Sequence, residues 1–251
     1  MTAAGYLRCL GGIVGREGLR FLKQRARFLS ALVRPLVWLF IFAAGFRAIL
    51  GVSIIPPYET YILYEVYITP GLCVMILLFN GMQSSLSMVY DREMGSMKTL
   101  LVSPFPRWYL LGAKLLAGSL VSLLQVYVFL AIAWFWEIEP PPLGYLAAAP
   151  ALLLSALMLG ALGLFLSSFV KQLENFAGVM NFVIFPMFFA SSALYPLWRI
   201  KESSVLLYQI ASANPFTHGV ELVRHALYLK LNETALLVVS GCLIVFFLLA
   251  V

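Results

Sequence analysis

Long apolar segments alternate with shorter polar segments along the chain. Each apolar run is long enough to cross a hydrocarbon core of about 30 Å. The runs predict six transmembrane helices, at residues 28–50, 68–90, 108–136, 145–170, 176–196 and 234–251. Tyr and Trp lie at several of their edges, where such side chains favour the headgroup layer. The pattern predicts an all-α membrane protein whose single transmembrane domain occupies residues 1–251.

Composition supports this class and excludes others. Hydrophobic residues make up 62% of the 251 positions and charged residues 11%, against about 45–50% and about 25% in soluble domains. The net charge of +6 comes from Lys and Arg beside the spans, where lipid and topology explain them better than nucleic acid. Cys9, Cys73 and Cys242 lie far apart. Their spacing predicts neither a disulfide framework nor a metal site.

The distribution of positive charge predicts the orientation of the six spans. With the first residues inside, twelve Lys and Arg lie on the inner side and five on the outer side, a positive-inside bias. Both ends are then cytoplasmic. A cleaved signal peptide is the competing interpretation of the first span, but the basic segment before it, about 27 residues, is longer than an ordinary n-region.

Residues 1–27 carry a pattern of their own. Basic side chains recur at helical spacing on one face, and apolar side chains fall mostly on the other; the basic ones are Arg8, Arg16, Arg20, Lys23 and Arg27. This predicts a helix that lies in the membrane surface. A basic tail that only directs topology is the alternative.

A polar island at residues 91–107 separates the second and third spans. It has a charged start, an apolar centre, and a proline stop at Pro104 and Pro106. These features predict a short helix that docks on another protein. A loop that serves only topology is the alternative interpretation.

Ionisable groups are nearly absent within the spans. Arg34, Arg47 and Lys114 are predicted near span ends, where long side chains can snorkel. The second span carries an uncharged polar face of Asn80, Gln83, Ser84 and Ser87, which interhelical packing and a substrate-lining surface explain equally well. In the fourth span, Gly160, Gly163 and Ser167 form a strip that predicts close helix packing.

The segment at residues 197–233, between the fifth and sixth spans, contains apolar runs too short to cross a bilayer. They predict interfacial or re-entrant helices. Asn214 can cap the second of these, with Pro215 in its first turn. Glu221 and Arg224 are three residues apart and can pair. Both histidines of the chain lie in this segment, and packing explains them better than a metal or catalytic role.

Enzymatic motifs are missing from the chain. It contains no G-x-x-x-x-G-K-[ST] phosphate loop, G-x-S-x-G elbow or H-E-x-x-H pair, each of which would predict a specific chemistry. No catalytic residue and no bound cofactor are therefore predicted. If energy drives transport, another polypeptide must supply it.

Three motifs in this order resemble the membrane permease subunits of ABC-2-type ATP-binding-cassette exporters. They are Tyr67-Ile68-Thr69-Pro70-Gly71, then Asp91-Arg92-Glu93-Met94-Gly95 with Leu100-Leu101-Val102-Ser103-Pro104, and then Asn214-Pro215-Phe216 with Glu221 and Arg224. The resemblance covers essentially the full length.

The resemblance implies that the island is a coupling helix seated in a groove of a separate ATPase, which binds ATP and Mg. The implied docking residues are Arg92, Glu93, Gly95, Met97, Leu100 and Leu101. The first helix would contact the same subunit. Lys98 departs from the acidic residue that relatives often carry there.

The resemblance also implies a dimer, with a second copy or a similar permease, in a bacterial-type inner membrane. The first, second and fifth spans would line the route, and the candidate lining residues are Asn80, Gln83, Ser84, Ser87 and Asn181. The cargo would be amphipathic, lipid-like, drug-like or a glycan. A membrane scaffold without transport, or an ion-coupled carrier, are the alternatives, and the uncharged spans disfavour the carrier.

Overall fold

The computed structural model of the chain describes residues 3–23, 32–43, 45, 56–94, 104–136, 138–170 and 172–251. Across these residues the regular structure is helical, without a β-strand. The all-α prediction is confirmed for this part of the chain.

Ten helices are numbered here in chain order. They are α1 (Ala3–Lys23), α2 (residues 32–43, with a π-helical second half at Trp38–Ala43), α3 (Tyr64–Glu93), α4 (Arg107–Trp134), α5 (Pro142–Phe169), α6 (Leu173–Phe189), α7 (Leu197–Ser203), α8 (Val205–Ala213), α9 (Pro215–Leu227) and α10 (Glu233–Ala250).

Four helices are long and apolar enough to cross a membrane, namely α3, α4, α5 and α10. They correspond to the predicted second, third, fourth and sixth spans. α6, in place of the fifth, has 17 residues. Only part of the first predicted span, residues 32–43 and 45, is described. We call the Tyr64 end of α3 outer and its Glu93 end inner, after the predicted topology.

The described ends of α3, α4, α5, α6 and α10 lie within four residues of the predicted span boundaries, except at the end of the fifth span. The second span begins at Tyr64, four residues before the predicted start. The fifth was predicted to reach Pro196, but α6 ends at Phe189. The carbonyl oxygens of Met187 and Ala190, near the end of α6, accept from the Asn214 side chain of the outer segment instead of continuing the helix.

α3 lies at the centre of the fold and packs against α4, α5, α6 and α9. Glycines allow α3 and α5 to approach closely. A Cβ on Gly81 would lie 3.0 Å from the backbone of Gly160, and one on Gly163 would lie 2.5 Å from Ser85 Oγ. The predicted close packing of the fourth span is confirmed at these positions.

The first helix is amphipathic, as predicted. Arg8, Arg16 and Lys23 are exposed on α1, while its apolar face is half-buried. Tyr6 on that face makes an edge-to-face contact with Tyr109, with ring centroids 4.8 Å apart. The hydroxyl of Tyr109 also donates to the carbonyl of Tyr6. α1 is therefore joined to the start of α4; its place in the membrane surface stays a prediction.

Candidate functional sites along α3

A buried arginine joins three separate segments at the outer end of α3. Arg224 of α9 is 2% exposed and forms an ion pair with Glu221. Its Nη2 donates to Ser192 O at 2.9 Å and lies 3.5 Å from Tyr67 O. Its guanidinium lies over the Tyr67 ring, 4.2 Å from the centroid. We call Tyr67, Ser192, Asn214, Glu221 and Arg224 the outer clasp.

Charge within the outer clasp is balanced locally. Burial by itself would lower the pKa of Arg224, but the Glu221 carboxylate and the Tyr67 and Tyr58 hydroxyl groups reverse the shift and raise that pKa above its ordinary value. Burial also raises the pKa of Tyr58. Arg224 therefore stays charged and Tyr58 neutral across physiological pH, so the clasp is a permanent structural contact.

Asn214 connects two helices within the outer clasp. Its Oδ1 accepts from the Phe216 backbone N–H at 3.0 Å and caps α9, as predicted. Its Nδ2 donates to Met187 O at 2.8 Å and to Ala190 O at 2.7 Å. These carbonyls lie at the end of α6, where carbonyl oxygens lack a backbone N–H partner within the helix. The Asn214 side chain thus provides a hydrogen-bond partner for a backbone amide at the start of α9 and for two carbonyl oxygens at the end of α6.

The variant Asn214→Asp separates these two roles. Aspartate keeps the cap acceptor but loses both donated bonds and places a carboxylate beside two carbonyl oxygens. We expect a loss of about 1–3 kcal/mol in unfolding free energy, measured by chemical unfolding of the purified protein. Asn232→Asp is the matched control, because Asn232 caps α10 as an acceptor from Ala235 N–H. An equal effect of the two variants would contradict the assignment.

The inner end of α3 contacts the turn between α5 and α6. Arg92 Nη1 donates to Ser167 O at 3.2 Å and to Val170 O at 3.4 Å. Glu93 Oε2 accepts from the Leu173 backbone N–H at 3.3 Å. Arg92 therefore satisfies the last carbonyls of α5, and Glu93 the first amide of α6. We call these five residues the inner junction.

Two of the six implied docking residues, Arg92 and Glu93, belong to the inner junction. The other four lie outside the described residues; they are Gly95, Met97, Leu100 and Leu101. The carboxyl group of Glu93 bonds to an amide of this chain, and Glu93 as a residue is also exposed. The contact with α6 and an external contact are therefore compatible for this residue.

Half of the polar face of α3 packs against α4. Asn80 Nδ2 donates to Gln125 Oε1, and a Cβ on Gly118 would lie 3.1 Å from Ser84 Oγ. Interhelical packing, one of the two alternatives, therefore describes Asn80 and Ser84. Sequence reasoning did not single out Gln125, although Ser119, Ser122 and Gln125 repeat at helical spacing in the third span.

The remaining candidate lining residues are placed differently. Gln83 is half-buried on α3. Ser87 Oγ donates to Ser84 O of its own helix at 2.7 Å. Asn181 is exposed on α6, so the structure does not bring it to the Asn80 contact.

The structure corrects the position of Arg34. It was predicted near a span end, but its guanidinium lies 3.8 Å from the centroid of the Phe79 ring. Phe79 is central in α3, which runs from Tyr64 to Glu93. The position at which an apolar run begins in the sequence does not show at what height that helix packs against its neighbours. Arg34 is also exposed.

The histidines make local contacts. His218 Nε2 lies 2.9 Å from Ser212 O, and His225 Nδ1 lies 2.8 Å from Glu221 O. Within the described residues, no group of three or more His, Cys, Asp or Glu side chains could bind a metal. These contacts agree with packing as the role of both residues.

The helices and their contacts define the class of the molecule. Helices α3, α4, α5 and α10 are long enough to cross the membrane, and α3 and α5 pack through glycine contacts. This is a multi-pass helical membrane protein.

Comparison with known proteins then defines the family. Residues 10–228 match the model of the family described as ABC-2 type transporter, and the chain belongs to this family. Members of this family are membrane subunits of transporters, and the family implies a partnership with an ABC ATPase subunit.

Two relatives illustrate the range of similarity. The transport permease ycf38 of Cyanophora paradoxa is 26% identical over 230 residues, which cover 89% of this chain and 76% of that protein. The multidrug ABC transporter permease YbhR of Escherichia coli K12 is 30% identical over 170 residues, 66% of this chain. The match spans 45% of YbhR, so this chain corresponds to under half of that relative.

Proposed function

We propose that this chain is the transmembrane permease subunit of an ATP-driven exporter, energised by a separate ATPase subunit. The observation that carries the proposal is the inner junction, in a chain of the ABC-2 family. Arg92 and Glu93 begin the polar island and bond to the end of α5 and the start of α6. A force applied to the island would therefore move three helices together. The chain itself is not the enzyme; ATP and Mg bind to the partner.

The proposed topology has six spans with both ends in the cytoplasm. Without Arg34, which contacts the middle of α3, eleven inner against five outer basic residues support it. Residues 197–233 form a re-entrant segment on the outer side, where α7, α8 and α9 are each too short to span. Residues 1–251 form one transmembrane domain, and the bacterial inner membrane is the proposed location.

The proposed partners are the ATPase, a second copy of this chain or a similar permease, and membrane lipid. A cavity of about 150 Å³ beside the inner junction supports lipid contact. Arg92, Arg107 and Lys114 line it together with apolar side chains such as Leu110 and Leu164. Basic pockets between helices at the cytoplasmic side suit anionic headgroups, and the exposed basic face of α1 suits the same surface.

ATP binding would close the two ATPases and press on the coupling helices, formed here by Arg92, Glu93, Gly95, Met97, Leu100 and Leu101. Cargo would pass where the first, second and fifth spans of two chains meet. The lining candidates are Asn80, Gln83, Ser84, Ser87 and Asn181. The cargo is proposed to be an amphipathic, lipid-like, drug-like or glycan molecule.

Charge reversal in the island tests the coupling. The permease is co-expressed with candidate ATPases, purified, and reconstituted to measure ATP hydrolysis with a substrate panel. Glu93→Lys and Leu100→Asp are each expected to reduce ATPase retention and stimulated hydrolysis at least roughly tenfold, an effect of about 1.4 kcal/mol.

Two controls separate docking from folding. Glu93→Gln keeps an acceptor for the Leu173 N–H and should preserve the fold, whereas Glu202→Lys makes the same charge change on exposed α7 and should leave association unchanged. If no ATPase associates, or if both island variants behave as the parent, the coupling proposal is wrong.

A further inference from the structure

Arg34 lies at the depth of the bilayer centre. Its guanidinium contacts Phe79, and the next residue, Asn80, bonds to Gln125 of α4. Along α4, Lys114 is eleven residues inward from Gln125 and Trp134 is nine residues outward, or about 16 Å and about 14 Å at helical rise. Trp134 ends α4 on the outer side, and Lys114 lines the cavity beside the inner junction. Arg34 is therefore roughly equidistant from both membrane surfaces.

The charge of Arg34 has no counterion within the described residues. None of their carboxylates lies within ion-pair distance of it. Its contact with Phe79 is a cation–π interaction, which leaves the guanidinium N–H donors available. The arginine is exposed on the surface of the single chain. An arginine facing lipid at this depth is strongly unfavourable, so such residues mark a cavity or a functional pathway.

A second copy of this chain has no carboxylate at that depth. The chain contains eleven acidic residues. None of the six predicted spans contains one, and Glu65 begins α3, Glu174 begins α6 and Glu233 begins α10. Bulk lipid headgroups stay at the interfaces. An anion in transit between the two surfaces would reach the Arg34 guanidinium.

The surroundings of Arg34 are apolar and lie between three helices. Arg34 joins α2 to α3, and Trp38, one turn further along α2, packs against Phe188 and Phe189 of α6 with ring centroids 5.5 and 5.8 Å apart. Val37 is exposed beside them, at 41%. A single cation within an apolar surface suits a molecule with one anionic group and a hydrocarbon body.

We propose that Arg34 binds the anionic group of the cargo at mid-membrane, and that the cargo is an anionic amphiphile such as an acidic lipid. This inference rests on the proposed export function and assigns its substrate class. Phe79 positions the guanidinium by stacking against it. Zwitterionic and cationic amphiphiles would lack a matching net charge.

The test uses the full permease–ATPase complex in vesicles of phosphatidylcholine. Fluorescent phosphatidylglycerol, fluorescent phosphatidylcholine and a cationic amphiphile of equal chain length are the probes, and both probe movement and ATP hydrolysis are measured. We expect the parent to move the anionic probe at least tenfold faster than the other two. Arg34→Gln should abolish that preference, whereas Arg34→Lys should retain most of it.

A binding measurement tests the role of Arg34 without requiring transport or ATP hydrolysis. Phosphatidylglycerol retained by the complex in detergent is counted by native mass spectrometry, with Lys201→Gln, an exposed cation on α7, as the matched control. Arg34→Gln should retain several-fold less than Lys201→Gln. Equal retention and equal transport by Arg34→Gln and the parent would overturn the proposal.

Two further outcomes assign failure to its cause. If both Arg34 variants dissociate the complex, Arg34 is an assembly residue and the proposal is wrong. If the parent binds an ATPase and moves zwitterionic probe as fast as anionic probe, the substrate class is wrong while the export function stands. If the parent binds no ATPase and shows no anion preference in binding, both proposals fail.

Discussion

Arg224→Met is expected to lower the unfolding free energy by about 3–5 kcal/mol, the range measured when one partner of a buried ion pair is removed. Glu221 would keep its charge without the arginine that neutralises it. The carbonyl oxygen of Ser192 would lose one of two donors at 2.9 Å, keeping only the Tyr67 hydroxyl, and the Tyr67 ring would lose its stacked cation. The outer segment would then detach from α3.

Thermal unfolding of the purified protein in detergent measures this effect. A loss of that size corresponds to a fall of roughly 6–20 °C in Tm for a chain of this length. Arg224→Lys should recover only part of it, because an ammonium group cannot reproduce the planar stacking and forked donation of a guanidinium. Lys201→Gln on exposed α7 should leave Tm unchanged.

The double variant Arg224→Met with Glu221→Leu tests whether the destabilisation comes from the unpaired Glu221 carboxylate or from the loss of the packing of the arginine side chain. Removing both partners eliminates the unpaired carboxylate, so it should be less destabilising than Arg224→Met alone. If Arg224→Met has the stability of the parent, the clasp contributes nothing to the fold and the assignment is wrong.

Local parts of the outer clasp were predictable from sequence. Asn214 and Pro215 form a helix start that is read from adjacent positions. Glu221 and Arg224 are three residues apart on one helix. Ser192 and Tyr67 are 32 and 157 residues from Arg224, and no spacing rule joins them to it. Sequence thus predicted each helix-local contact and missed the tertiary contact that unites them.

Depth and helix pairing were the least predictable features. The polar face of α3 was recognised, but its partner Gln125 lies 45 residues from Asn80, so packing and pathway were equally consistent with it. Arg34 was assigned to a span end because hydropathy records where an apolar run begins. Its contact with Phe79 depends on how α2 is placed against α3. Length and composition predicted the helices, whereas their relative heights required the packed structure.

Gly81→Ala is expected to destabilise the α3–α5 interface by about 1–3 kcal/mol. The added Cβ would lie 3.0 Å from both Cα and N of Gly160 and 3.2 Å from the carbonyl carbon of Leu159. These are backbone atoms, which cannot rotate away as a side chain can, so the two helices would have to separate. At Gly163 an added Cβ would lie 2.5 Å from Ser85 Oγ and 3.0 Å from the backbone carbonyl oxygen of Gly81, so Gly163→Ala should be damaging for the same reason.

Gly178→Ala is the matched control for the difference in helix propensity between glycine and alanine, because a Cβ there meets nothing within 4 Å. In a helix, alanine is favoured over glycine by up to about 1 kcal/mol, so this variant should be neutral or slightly stabilising. Since every one of these changes adds the same methyl group within a helix, a larger loss of Tm for Gly81→Ala and Gly163→Ala than for Gly178→Ala isolates the effect of helix approach. Equal Tm for Gly81→Ala and Gly178→Ala would show that α3 and α5 do not approach as closely as the structure places them.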